Sequence, residues 1–237
     1  MKFKIVSLFV LCAILISCGT SRQGGKKQRK GTKAQVVLTP EQQRKYDYFF
    51  LEASRLKMKD DYSAAFDLLQ HCLTINPNAS SALYEISQYY MYLKQVPQGQ
   101  AALEKAVEND PDNYWYSQGL ASLYQQQNEM QKATNLLENM ATRFSDRMDP
   151  LYSLLDIYNR LEEYDNVITT LNRLEEKMGK NEQLSMEKFR IYLQKKDNQS
   201  AFREIESLVE EYPMDMRYQV ILGDVYMQND KKDEAYN

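Results

Sequence analysis

The chain has 237 residues, 43% of them hydrophobic and 27% charged, with a formal net charge of −3, which is ordinary globular material with enough length for a sizeable core. The charge is unevenly placed: residues 1–39 carry eight bases (Lys2, Lys4, Arg22, Lys26, Lys27, Arg29, Lys30, Lys33) and no acid, leaving 22 bases against 33 acids in residues 40–237, a net of 22 − 33 = −11. A body of that sign repels phosphate, so nucleic acid is excluded as the expected partner.

At the N-terminus, Lys2 and Lys4 precede an apolar run, Ile5 to Ile16. About 12 apolar residues fall short of the roughly 20 a membrane-spanning helix needs, so residues 1–17 read as a cleavable signal peptide. The run ends at Leu15-Ile16-Ser17-Cys18, which resembles the lipobox of bacterial lipoproteins, where the signal peptide is cut before the cysteine and that residue is acylated. The resemblance implies that Cys18 anchors the mature protein to a membrane. Residues 18–38 follow as a linker whose Gly19–Lys33 stretch holds six bases among Gly, Ser and Gln. That composition is too polar to bury a core and predicts a disordered tether. Two readings of its charge stand side by side, contact with anionic headgroups and a solvated spacer. Cys12 leaves with the signal peptide and Cys72 falls in a predicted helix, so no structural disulfide is expected once Cys18 is acylated.

The folded part begins at Thr39-Pro40-Glu41-Gln42, which supplies an N-cap hydroxyl, proline at the first helical position and Gln at N3. From there one register repeats every 34 residues: Leu56, Tyr90, Tyr124, Tyr158, Tyr192 and Tyr226 occupy equivalent places. With tyrosine at 18 of 237 positions, the chance of that column is on the order of a few in 10⁵. Ala65, Gly99, Ala133, Val167, Ala201 and Ala235 form a small-residue column, and Leu69, Leu103, Leu137, Leu171 and Ile205 an apolar one. A helix break recurs at Pro77, Pro111, Ser145, Gly179 and Pro213. Each unit holds two stretches with apolar spacings of three and four, parted by polar turns such as Lys59-Asp60-Asp61 and Gln127-Asn128-Glu129. This predicts helix, turn, helix. A small residue on the second helix lets the backbones approach, while the tyrosine ring fills space between units.

These columns resemble the tetratricopeptide repeat family, with small residues near positions 8 and 20, an aromatic at 11 and proline at 32. The resemblance implies an all-α solenoid of antiparallel helix pairs wound as a right-handed superhelix, residues 39–237, with units at about 46–79, 80–113, 114–147, 148–181, 182–215 and an incomplete 216–237. Position 8 reads Ala53, Ser87, Ala121, Leu155, Phe189 and Gly223, and Leu155 and Phe189 are larger than the pattern asks, so wider or shifted packing is expected in the fourth and fifth units. The residues expected to pack repeat on repeat are Ala65, Tyr90, Tyr124, Ala133, Tyr158, Tyr192, Ala201 and Tyr226.

No enzyme is expected. The single histidine, His71, has no partner histidine and reads as a surface residue, and no phosphate loop, nucleophile elbow or metal-spaced His/Cys set occurs. No metal and no small-molecule cofactor are implied. Function is instead expected on the first-helix face formed by positions 2, 5, 9 and 12, which lines the concave groove in the family resembled. That selects Phe50, Tyr84, Gln88, Trp115, Gln118, Tyr152 and Asp156 as candidate partner-binding residues. Aromatic residues there would supply contact area, and amides and carboxylates would fix orientation. The alternative for Trp115 and the position-5 residues is burial between units. The terminal-carboxylate clamp of chaperone-binding relatives is absent, since Phe50, Ser54, Gln88, Gln118 and Ser122 stand on those rows.

Lipobox and repeats together resemble the lipoproteins of Gram-negative bacteria that serve envelope assembly and secretion. The expectation is a periplasm-facing scaffold on the outer membrane that binds a protein partner. The alternative is an outer-membrane glycan-binding lipoprotein, in which exposed coplanar Trp and Tyr rings stack on sugars. The sequence stops inside the expected second helix of unit six, and the expectation is either the N-terminal piece of a longer array or an end that another chain covers.

Overall fold

A computed structural model of the protein describes residues 37–228. The predicted signal peptide, Cys18, most of the tether and the second helix of unit six lie outside them. The described residues contain eleven α-helices and no strand: α1 Pro40–Lys57, α2 Tyr62–Ile75, α3 Ser80–Tyr92, α4 Val96–Asn109, α5 Tyr114–Gln126, α6 Met130–Arg143, α7 Asp149–Arg160, α8 Tyr164–Met178, α9 Glu182–Gln194, α10 Asn198–Glu211 and α11 Met216–Gln228. Each helix packs on the next in sequence, which is the layout of a solenoid of helix pairs. Among the described residues, no helix is long and apolar enough to cross a membrane.

The first helix starts where its sequence says it should. Thr39 is the N-cap, its Oγ1 accepting from the Gln42 amide at 3.2 Å while the Thr39 amide donates to Gln42 Oε1 at 2.9 Å, so two otherwise unpaired donors are satisfied reciprocally. Pro77, Pro111, Ser145, Gly179 and Pro213 all fall in the connections between units, where proline lacks the amide to continue a helix.

Within each pair, the first helix is closed by a device the sequence does not announce. Asp60, Lys94, Asn128, Glu162 and Lys196 all have φ between 57° and 62°, and they recur every 34 residues. The next residue returns its amide to the carbonyl of the tyrosine column: Asp61 to Leu56, Gln95 to Tyr90, Glu129 to Tyr124, Glu163 to Tyr158 and Asp197 to Tyr192, all at 2.8–3.0 Å. Backbone groups alone thus cap the helix C-terminus, in a geometry that favours glycine at its left-handed residue. Here every such residue carries a side chain, at a backbone cost of about 1 kcal/mol for types other than Asn and Asp. Lys94→Gly, Glu162→Gly and Lys196→Gly are therefore each expected to stabilise by about 0.5–1 kcal/mol, roughly additively. Asn128→Gly should gain less. Urea midpoints measure this, and no gain from the combined variant would refute it.

The small-residue column sits at the crossing of each pair. Ala65, Ala133, Val167 and Ala201 are fully buried, and a Cβ at Gly99 would lie 2.7 Å from Met91 Sδ and 3.1 Å from the Ser87 carbonyl. The apolar column Leu69, Leu103, Leu137, Leu171 and Ile205 is buried throughout. Tyrosines of the third column pack against the second helix of the preceding unit: Tyr124 Oη donates to Glu104 at 2.9 Å and Tyr158 Oη to Glu138 at 3.3 Å. Phe66 meets Tyr90 and Phe202 meets Tyr226 edge-on at ring distances of 5.5 and 4.7 Å. Tyr192 is half-buried in the cluster that holds Phe189.

Of the two oversized position-8 residues, Phe189 is buried in that last cluster, whereas Leu155 is only half-buried. Cys72 is free and buried, its thiol pushed up to about 11 by burial. His71 is exposed, its ring 5.5 Å from Phe49.

Candidate functional site

A concavity faces the first helices of the last three units. It encloses about 890 Å³ between α7, α9 and α11. Tyr152, Leu155 and Asn159 reach it from α7, Met186, Glu187 and Arg190 from α9, and Arg217, Tyr218 and Ile221 from α11. Helical spacing explains the set: residues three or four apart share a face, so each helix contributes a short apolar row bordered by a polar one. The floor is apolar, with Leu171 of α8 beneath it; Met178 of α8 stands at the mouth, and the rim is polar, with Asn159, Asn181 and Gln183.

Charges on the rim are paired within the protein. Arg190 bonds Glu187 at 3.0 Å, and Arg217 bonds Asp215 at 2.6 Å and reaches Glu182 at 3.4 Å. The hydrogen bond from Arg217 holds the Asp215 carboxyl below its ordinary range. Both arginines keep further N–H donors, since a guanidinium carries five. The Tyr152 hydroxyl lies 3.4 Å from Met178 Sδ, and that ring is 47% exposed at the groove mouth.

Of the seven residues selected from the sequence, Tyr152 alone lines this groove. Phe50 stacks on Tyr46 at 5.9 Å within its own helix. Tyr84 is half-buried between units, its ring 4.9 Å from Tyr116. Gln88 borders a separate cavity of about 410 Å³ with Lys57, Tyr62, Tyr89 and Tyr92. Gln118 accepts from Tyr114 Oη at 3.1 Å. Trp115 is 63% exposed, so it is no buried packing residue; it meets Tyr114 edge-on at 81°, with the Arg147 guanidinium 5.5 Å from its ring. Asp156 is exposed, 3.8 Å from Arg160. Sequence reasoning passed over Leu155, Glu187 and Ile221 as lining residues. Arg190, Asn159 and Arg217, by contrast, stand on the position-9, position-12 and position-2 rows already singled out.

Beside the groove, α9 carries a buried cation. Lys188 Nζ bonds Glu175 of α8 at 2.9 Å and Glu204 of α10 at 3.0 Å, with its side chain 5% exposed. Burial pulls its pKa down, but the two carboxylates outweigh that and hold it above the ordinary lysine value. Among the described residues, no group of three His, Cys, Asp or Glu side chains is placed to hold a metal ion.

Burial also raises the phenols of Tyr46, Tyr114, Tyr116, Tyr124, Tyr158 and Tyr192 above their ordinary value near 10. In the unfolded state these groups lose their protons first, so the folded state binds more protons above that pH and stability falls as pH rises. Lys188 adds loss in the same direction, because a raised cation stabilises only until it deprotonates. The urea midpoint is expected to hold between pH 8 and about 9.5 and to drop by about pH 11. A flat profile would contradict this.

The described residues thus form an all-α, tetratricopeptide-like solenoid. Residues 80–113, the second unit, match the tetratricopeptide repeat family. Among solved structures, the protein is similar to a tetratricopeptide repeat protein from Parabacteroides merdae, with 17% identity, a TM-score of 0.53, and 81% of this chain and 77% of that one covered. It is also similar to MamA of strain AMB-1, at 17% identity and TM-score 0.52 over 71% of this chain and 92% of that one. A third likeness is to a structure of Naa15/Naa10 bound to HypK-THB, at 17% identity and TM-score 0.59 over 82% of this chain and 31% of that one. No curated protein sequence matches this one.

Proposed function

We propose that this protein is a non-enzymatic, lipid-anchored scaffold of the Gram-negative cell envelope, held through Cys18 on the periplasmic face of the outer membrane, that takes a segment of a protein partner in the α7–α9–α11 groove. The carrying observation is the groove itself, an apolar floor of Leu155, Leu171, Met186 and Ile221 rimmed by amides, arginines and the carboxylates of Glu182 and Glu187. A floor of that kind gives contact area to apolar side chains, while rim amides and spare guanidinium donors match the carbonyls of a bound backbone. The lipobox-like Leu15–Cys18 and the basic stretch after it support the anchor. A sugar-stacking platform asks for coplanar rings, whereas Trp115 stands edge-on to Tyr114, so the protein-segment reading is the one the geometry supports.

Photo-crosslinking amino acids placed at Met186 and Arg190, with Asn135 on the exposed face of α6 as control, test the groove in cells. Discrete crosslinked proteins are expected from the first two positions and not from the third. Equal yields at all three would refute the groove as the binding face. For the anchor, Cys18→Ala is expected to move the protein from membranes to the soluble fraction, and unchanged fractionation would reject it.

A further inference from the structure

From unit two onward, three columns of the repeat are uncharged except at one place. Position 7 reads Glu52 in unit one, where it bonds Arg55 on its own helix, then Ile86, Leu120, Leu154 and Leu222 in units two, three, four and six, but Lys188 in unit five. Position 23 reads Leu68, Ala102, Leu136 and Thr170, then Glu204. Position 28 reads Leu73, Val107, Ala141 and Val209, but Glu175 in unit four. The three exceptions meet in space as the Glu175–Lys188–Glu204 triad, which ties α8, α9 and α10 together. On the same helix, Ser185 stands where Leu83, Ser117 and Leu151 stand in units two to four; it is fully buried, and its hydroxyl has no hydrogen-bond partner. The apolar core running from α4 reaches α9 only at Leu184 and Ile191, and a separate cluster begins at Phe189.

We propose that the α8/α9 junction is a built-in hinge, about which α9–α11 opens as a body from the preceding helices and changes the width of the groove. Closing an apolar junction removes hydrophobic surface from water, and opening it forfeits that gain. Closing this one strips water from three ions, and their mutual attraction only partly compensates. On opening, the ions are rehydrated, so the open state is populated more than at an apolar junction. The triad is also asymmetric. Glu204 lies in the same unit as Lys188 and moves with it, so opening breaks the Glu175 contact and leaves the ammonium paired. Tyr152, Leu155 and Asn159 stand on one side of the junction and Met186, Arg190 and Ile221 on the other, so the swing acts across the groove. The hinge rests on packing alone; only its effect on a bound segment rests on the proposed binding role.

Native-state hydrogen exchange of the full-length protein in a denaturant series tests it. Amides of α9 and α10 are expected to exchange together, through an opening at least tenfold more populated than that exposing α5 and α6. The combined variant Glu175→Val, Lys188→Leu, Glu204→Leu, which restores what other units carry, should shrink that difference at least tenfold. Should it fail to fold, Glu175→Gln, Lys188→Met, Glu204→Gln is read in the same way. Equal protection of α9–α10 and α5–α6, or a difference that both variants leave unchanged, overturns the hinge. So does a gradient in which α11 exchanges before α10 and α10 before α9, which is the signature of fraying from the terminus.

Discussion

Lys188→Met alone is expected to destabilise the protein by about 3–5 kcal/mol, the range for removing one partner of a buried ion pair. Methionine fits the volume and loses little packing, so the effect is electrostatic. Glu175 and Glu204 are left facing each other beside a mostly buried site, with side-chain exposures of 24% and 17% and no cation between them. The double change Lys188→Met, Glu175→Gln should recover part of the loss. Urea midpoints at pH 7 measure both. A loss under about 1 kcal/mol would show that water or side-chain motion already solvates the two carboxylates.

Leu154→Ala, in the same column one unit earlier, is expected to cost about 2–5 kcal/mol for a different reason. Leu154 is fully buried among Leu151, Ile157 and Leu171 in the central core. Truncation removes three carbons' worth of burial and leaves a cavity that the stacked helices can only partly close. Because each repeat is held by its neighbours, the loss at unit four also weakens its coupling to units three and five, and unfolding should broaden as well as shift. Leu154→Met, which conserves volume, should cost under about 1.5 kcal/mol. Equal losses for the two substitutions would mean that the site relaxes freely and that the column is not close-packed there.

The helix pairs were legible in the sequence because their steric demands recur. A crossing that admits only small or modest residues such as Ala65, Gly99 and Val167, a ring needed at Tyr124 and Tyr158, and a break at Pro111 leave the same mark every 34 residues. The corner between the two helices was legible only in part, since the left-handed residue there is usually betrayed by glycine and here is Asp60, Lys94, Asn128, Glu162 or Lys196. The groove was least legible. Periodicity assigns the same helix face to every unit, but depth depends on which side chains fold over that face. Tyr84 falls against Tyr116 and Gln118 takes a bond from Tyr114, whereas Tyr152 stays at the open mouth with Leu155, a residue noticed only as a misfit. The Lys188 triad joins partners 13 and 16 residues away along the sequence. Its trace there was three columns, uncharged in the neighbouring units, turning charged together.

The five left-handed corners also govern how such an array can change over generations. Each is closed by backbone hydrogen bonds rather than by a particular side chain, which is why five positions can hold four different residue types. Composition at the corner is therefore nearly free, but length is not. Losing one residue, Asn128 for instance, would turn α6 by about 100° against α5 and carry Ala133 and Leu137 off the crossing together. Residues at the corners can be traded almost at will and whole units gained or lost, while a single-residue insertion or deletion is barred.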